Sequence, residues 1–356
     1  MSLASSADRQ QIVTTLRREI IEGLYKPGGR LPTRIALRQR FDASPITIQR
    51  VMDQLSREGF IEVRRRKSGT VVVKHPPHLN HYRLLIPVPH DNALMASPHV
   101  QAVQQECLRL ERLRTGMMCS TCNLSDALQP EATRRLIEDV LSERVAGLMF
   151  LFNPMPFNAP ILKEPRVPRV VLGPPSPLKH LPHIWFDEQV VQKAVERFAS
   201  LGCRRIAMLC NSEWDEHQAR TFLDSVASHG LTTHPWWIQA AMWTHPDSVR
   251  NCVHLLMHPG QSERPDALLI TDDALVPAAG DGLIAAGLSP AATPREIHVI
   301  AHANFPRSTP TRFPMLRIGF NIRELVSRGI DCIDAQRRGE IPQHLTLLPT
   351  LFENEL

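Results

Sequence analysis

An α/β protein in two unequal parts is predicted: a small three-helix domain closed by a hairpin, then a large body of alternating strands and helices. Three observations carry this. Apolar residues over 1–60 recur at helical spacing, and from residue 82 short β-like runs alternate with helical stretches. Charge divides at the same place. Residues 1–75 hold 15 Lys/Arg against 7 Asp/Glu, a net +8, whereas the remainder holds 26 against 29, a net −3. Between the parts lies a short Pro-containing connection, Lys74–His81. At 356 residues the chain has room for two or three domains.

In the first part, Ile12, Leu16, Ile20 and Leu24 recur every four residues, and Val13 and Ile21 widen the stripe. That spacing predicts one buried face of a first helix, broken by Gly23 and Pro27-Gly28. Thr33 is placed to cap a second, short helix carrying Leu37 and Phe41 one turn apart. Ser44 and Pro45 are placed to start a third, with Ile48, Val51, Met52 and Leu55 inward and Ile46, Gln49, Arg50, Asp53 and Arg57 outward. Gly59 ends it. Phe60–Arg64 and Gly69–Val73 then read as two strands joined by a tight turn at Arg65–Ser68. Three helices and a basic hairpin make a winged helix-turn-helix.

The outer face of the third helix has the chemistry of base recognition. A helix fits the major groove of DNA, where Gln can pair with adenine and Arg with guanine, and an exposed Ile46 can meet a thymine methyl. The hairpin tip, Arg64, Arg65, Arg66 and Lys67, can sit against phosphates or in the minor groove. From periodicity alone, a packing module whose outward charges only keep it soluble fits as well.

The segment also resembles the GntR-type DNA-binding domain. The Gly23…Pro27-Gly28…Leu31-Pro32 opening, Leu37, Phe41, Ser44-x-x-Thr47, Leu55, Glu58-Gly59 and the Gly69-Thr70 wing fall in register with it. The resemblance implies a dimeric regulator on a roughly palindromic operator, with Arg34, Ser44, Ile46, Thr47, Gln49, Arg50, Arg64–Lys67 and Gly69 at the DNA. Three positions depart from the family pattern. Pro45 and Gln49 stand where it usually has arginines, and Arg34 where it usually has an acid. Gln49, Arg50 and the wing are therefore expected to carry more of the contact.

In the body, strands are expected at Leu84–Val88, Met117–Cys119, Val145–Phe152, Arg169–Gly173, His183–Asp187, Arg205–Cys210, Trp236–Ala240, Ala267–Thr271 and Ile297–Ala301. Helices are expected at His99–Leu113, Glu131–Glu143, Glu188–Leu201, His217–His229, Asp247–Met257, Ala274–Ala286 and Arg323–Arg337. Such alternation predicts parallel sheets with ligands at the carboxyl ends of strands. Val145-Ala146-Gly147-Leu148-Met149, Leu201-Gly202-Cys203-Arg204-Arg205-Ile206-Ala207 and Pro265-Asp266-Ala267 before Asp272-Asp273 resemble the effector domain of LacI/GalR regulators.

That resemblance covers about residues 82–352 and implies a two-lobed, periplasmic-binding-protein-like (type I) sensor, dimeric mainly through its lobes. The expected division is 1–74 for the winged helix, 75–81 for the linker and 82–352 for the sensor. Lobe 1 is placed at about 82–188 plus 321–340, and lobe 2 at about 189–320 plus 341–352. At the implied cleft, Gln218 stands where relatives often have Arg, four residues before Phe222, which marks the aromatic. Asp272 stands where they have Asn, and Ala303 where they have an acid, flanked by His302 and Asn304. Asp187, Trp214, His90 and Asp91 complete a candidate ring for a small-molecule effector, a sugar or other metabolite. Without the Arg and the acid the effector can differ in class.

Other chemistry finds little footing. Cys119-x-x-Cys122 has no second Cys pair, and His254 and His258 lie a turn apart without an HExxH pattern. His75, His78 and His81 in the linker are assigned no role. Asp272 and Asp273 are neighbours on a turn, where side chains usually diverge. No P-loop, GxGxxG or GxSxG run is present. Neither cofactor, metal nor catalytic residue is expected. A DNA-tethered enzyme and an architectural DNA-binding protein with a vestigial sensor are the competing readings. Seven thinly spread cysteines suit reduced thiols, the charged N-terminus does not suit a signal peptide, and no apolar run approaches the ~18 residues of a membrane span. These point to a cytoplasmic protein that does not engage a membrane.

Overall fold

In a computed structural model the described residues are 2–64, 69–86, 96–123, 130–152, 166–175, 180–211, 216–289 and 297–356. The elements run α1 (Ser2–Ile21), α2 (Arg34–Phe41), α3 (Pro45–Arg57), β1 (Ile61–Val63), β2 (Thr70–Val72), α4 (Pro77–Asn80), β3 (His81–Ile86), α5 (Pro98–Leu113), β4 (Met118–Asn123), α6 (Pro130–Leu141), β5 (Gly147–Leu151), β6 (Arg169–Leu172), β7 (His183–Phe186) and α7 (Val190–Ser200). There follow β8 (Ile206–Asn211), α8 (Glu216–Ser228), β9 (Ile238–Ala241), α9 (Pro246–Met257), β10 (Ala267–Ile270), α10 (Val276–Ala285), β11 (His298–Phe305), β12 (Leu316–Asn321), α11 (Ile322–Arg337), β13 (Leu345–Leu348) and β14 (Leu351–Phe352).

By compactness the chain divides into two units. One comprises residues 1–90, 107–183 and 329–344, the other residues 91–106, 184–328 and 345–356. The first contains the winged helix. Its core gathers Ile12, Val13, Leu16 and Ile20 of α1 with Leu37, Ile48, Val51, Met52, Leu55 and Phe60. Leu24, expected on the buried stripe, lies past the end of α1 and is 66% exposed. Both predicted caps form: Thr33 Oγ1 accepts from Ala36 N at 3.2 Å, and Ser44 Oγ from Thr47 N at 3.1 Å, with Pro45 in the first turn. Between α2 and α3 the chain turns at Asp42, whose φ of 44° is left-handed, a region that Asp tolerates better than most residues.

β1 and β2 pair antiparallel, Ile61 opposite Val72. A third segment joins them: Arg30 bridges to Val71, and Leu31 N donates to Thr70 O at 2.9 Å. The opening read only as a helix breaker thus also lays down an edge of the wing. The connection after β2 is not slack, because it forms the short helix α4, with Asn80 Nδ2 donating to Pro76 O.

The body contains two six-stranded sheets, ordered β13-β7-β6-β5-β3-β4 and β14-β12-β11-β10-β8-β9. The registered pairs among β3, β4, β5 and β6 are parallel, as are those among β8 to β12; β14 returns antiparallel on β12. Central strands covered on both faces need unbroken apolar runs, and β5 and β10 are buried at every position. Gly147 opens β5 because a Cβ there would meet Ile333 Cγ2 of α11 at 2.4 Å. Trp236–Ala240, expected as a strand, splits into a 3-10 turn, Pro235–Trp237, and then β9. β12, β13 and β14 were not anticipated.

Candidate nucleic-acid interface and effector cavity

On the winged helix, α3 presents Ile46 (66% exposed), Arg50, Asp53 and Arg57 outward. Arg34 is exposed in the first turn of α2, beside Ile35, another outward apolar residue, also 66% exposed. Ile35 was not anticipated, although its placement two residues before buried Leu37 puts it on the opposite face. Ser44 and Thr47 are occupied by capping, their hydroxyl oxygens 2.9 Å apart. Gln49 Nε2 donates to Asp53 Oδ1 at 2.7 Å and must leave it to pair with a base. Arg64 pairs with Glu62 at 2.5 Å, and Gly69 is exposed at the wing. Arg65, Arg66 and Lys67 lie outside the described residues.

In the second unit a cavity of about 190 Å³ lies on the carboxyl side of β10, β11 and β12, with Thr271 just after β10, His302 of β11 and Phe320 of β12 on its wall. Its wall includes Trp185, Glu188, His217, Gln218, Thr221, Thr271, His302 and Phe320. Strand ends and the first turns of α7 and α8 deliver these groups. Phe320 stacks on Phe186 with ring centroids 3.8 Å apart and 6° between planes, and His302 meets Phe320 edge-on at 4.9 Å. A buried polar chain lies beside this wall. Asn304 Nδ2 donates to Asp273 Oδ2 at 2.8 Å, which turns Asn304 Oδ1 to His99 Nδ1 at 2.9 Å and fixes a neutral His99 as its Nδ1–H tautomer. His302 Nδ1 is 4.0 Å from Asp273 Oδ1 and makes no hydrogen bond among the described residues.

Burial governs the charges here. It pushes the Asp273 carboxyl up to about 6, against the hydrogen bond from Asn304 and with the repulsion of Asp272 added. It pushes His302 down to about 4, against the charge of Asp272 and helped by Arg317. His99 is lowered by burial too, despite its bond to Asn304. The imidazoles are therefore neutral near pH 7. The cavity combines aromatic faces with neutral hydrogen-bonding groups and one acid, Glu188, and among the described lining residues none is Lys or Arg. Such a wall suits a small ring bearing hydroxyl or amide groups.

Residues 8–72 match the model of the gntR family of bacterial regulatory proteins, which covers all three helices and both wing strands. The N-terminal domain belongs to that family. This gntR-type domain makes the chain a DNA-binding regulator. Residues 195–353 match the periplasmic binding protein-like domain. No curated protein sequence matches the chain. Among solved structures, it is similar to a LacI family transcriptional regulator from Lactobacillus casei with bound glucose, at 16% identity and a TM-score of 0.55 over 77% of this chain and 97% of that one. It is also similar to the transcription regulator CcpA of Lactococcus lactis, at 14% identity and 0.53 over 77% and 97%. A third likeness is to the transcriptional regulator CelR in complex with cellobiose, at 17% and 0.54 over 87% and 90%. At these identities the likeness shows the fold of the matched part, two α/β lobes, and the gntR match supplies the helical reader before them.

Of the effector residues expected from sequence, Gln218 and His302 stand on the cavity wall of the gntR-type regulator. Asn304 and Asp272 are engaged within the fold, Asp272 by Asn211 Nδ2 at 3.0 Å and Ala274 N at 2.9 Å. Asp187 receives Thr350 N at 3.1 Å and the Thr350 hydroxyl at 2.5 Å, which ties a strand end. Phe222 is fully buried in the core beneath α8 and offers no face to a ligand. His90, Asp91 and Trp214 lie outside the described residues. Trp185, Glu188, His217, Thr221, Thr271 and Phe320 also line the wall without having been anticipated. Among the described residues no cluster of His, Cys, Asp or Glu could hold a metal ion, and no helix is long and apolar enough to cross a membrane.

Proposed function

We propose that this regulator is a ligand-responsive repressor, whose operator affinity changes when a small polar metabolite enters the cavity walled by Trp185, Gln218, His302 and Phe320. One observation carries the reading: a gntR-type reader with an outward recognition face shares its chain with a cavity at the strand ends of a periplasmic-binding-protein-like fold. Relatives of this fold solved with glucose and cellobiose support a sugar-sized effector. Residues 1–74 read DNA, 75–81 connect and 82–352 sense. The effector acts by differential affinity for two states of the protein and leaves chemically unchanged. A cytoplasmic homodimer places two readers on the half-sites of an operator. Arg50, Ile46 and Gln49 contact bases, with Arg34 and the wing residues Arg64–Lys67 and Gly69 on the backbone.

Arg50→Ala tests the reader. It is expected to weaken operator binding by ~1–3 kcal/mol and to relax preference at one base position, as loss of a bidentate guanine contact would. Equal weakening on random DNA in a titration at fixed salt would assign Arg50 to phosphate instead.

A further inference from the structure

We propose that Glu58 is a positioning residue, which fixes the recognition helix α3 to the sensor part of the same chain through Arg144. The inference rests on the reading of α3 as the recognition helix. Glu58 is the C-cap of α3, and its carboxylate is almost wholly buried. Oε2 accepts from Arg17 Nε at 3.2 Å and Nη2 at 2.7 Å, and Oε1 accepts from Gln54 Nε2 at 3.0 Å. Those partners belong to the reader. The third does not: Arg144 Nη1, from the loop after α6, lies 3.8 Å from Oε1.

Arg144 is itself anchored. Its Nη2 is 2.8 Å from Asp139 Oδ1, and the other oxygen of Asp139 accepts from Arg83 Nη2 at 2.9 Å. Arg83 belongs to β3 and also bonds Ser120 of β4, so a line of charges runs from α1 and α3 into the sheet. Attraction between partly desolvated charges falls off slowly with distance, which lets a 3.8 Å pair hold an orientation.

Packing alongside makes the same join. His78 of α4 stacks on Phe60 with centroids 5.7 Å apart and 10° between planes. Arg337 of α11 donates to His78 O at 2.8 Å. A Cβ on Gly116 would meet His75 Cγ at 2.2 Å, so the chain leaving the reader lies directly against the loop before β4. Rotation of α3 relative to this part of the sensor would have to break these contacts together. Glu58 is the point where they reach the recognition helix.

Arg144→Ala separates positioning from folding, because Glu58 keeps Arg17 and Gln54. In the intact chain, amide exchange over residues 58–60 and 78–81 is expected to quicken about tenfold, while α1 and α2 stay within about twofold and Arg144→Lys restores most of the protection. On a random library bearing paired half-sites, the variant is expected to accept several spacings where the parent accepts one, with affinity for a single half-site within about twofold. Unchanged exchange at 58–60 and 78–81 would overturn the proposal. So would equal quickening of α1 and α2, which would make Arg144 a support of the reader's fold. Should the parent select no paired half-sites, the dimeric reading fails and the exchange result alone decides the role of Glu58.

Discussion

Arg17→Met is expected to cost the reader about 3 kcal/mol, because it leaves the nearly buried Glu58 carboxylate with only Gln54 and the more distant Arg144. Both side chains are nearly buried, at 7% and 8% exposure, and the pair joins α1 to the end of α3 across 41 residues of sequence. A domain this small has only about 5 kcal/mol in reserve, so the variant should keep little of the reader's margin against unfolding. Arg134→Ala on α6 is the contrasting case. Arg134 also pairs with acids, Glu131 and Glu138, but on an exposed face where water and salt screen such pairs and little stability rests on them. Urea unfolding of the intact chain, with exchange localised to α1–α3, distinguishes the two. An Arg17→Met reader as protected as the parent's would show that the buried pair contributes little.

Asp273→Asn should stabilise the second unit at pH 7.5 by roughly 2–3 kcal/mol and leave it unchanged near pH 4. The sign follows from the direction of the shift. Asp273 has its carboxyl raised from 3.8 to about 6 in the fold, so the folded state holds the proton more tightly than the unfolded one. Stability from this group is present at low pH and is lost as pH rises through about 6. Asn mimics the protonated form, keeps an oxygen to accept from Asn304, and removes the cost of ionisation.

His302 runs the other way, lowered from 6.5 to about 4, so its contribution grows as pH rises from 4 to 6.5. In the parent the two slopes oppose each other. The variant should therefore show a steeper loss on acidification, driven by His302 and by neutral, buried His99. Chemical unfolding followed by tryptophan fluorescence at pH 4.5 and 7.5 reads both effects. Destabilisation at pH 7.5 would mean that the ionised carboxylate is a needed acceptor for Asn304.

The reader was almost wholly legible because its signals are local. The Ser44-Pro45 start, the Thr33 cap and the inward set Ile48, Val51, Met52 and Leu55 all sit within a few residues of what they control. What escaped was long-range: the Arg30–Val71 bridge, the packing of α4, and the Arg17–Glu58–Arg144 line, whose members carry no local mark. In the body, buried parallel strands announce themselves as apolar runs. β12 did not, because Arg317 interrupts it, yet that residue is buried with Nη2 on Thr309 O at 2.8 Å. The cavity was legible only at strand ends. His302 and Gln218 follow from the resemblance to LacI/GalR effector domains, whereas Trp185 and Phe320 come from separate elements that only folding brings together.

Selection of genomic DNA fragments by the intact protein at physiological salt, repeated with each compound that raises its melting temperature in a screen of sugars, nucleosides and amino acids, tests the regulator reading most directly. A repressor of this design should enrich a small set of sites containing paired half-sites and release them with at least one such compound, recovered unchanged. Enrichment that no stabilising compound alters, or none over random fragments, would contradict a ligand-responsive repressor.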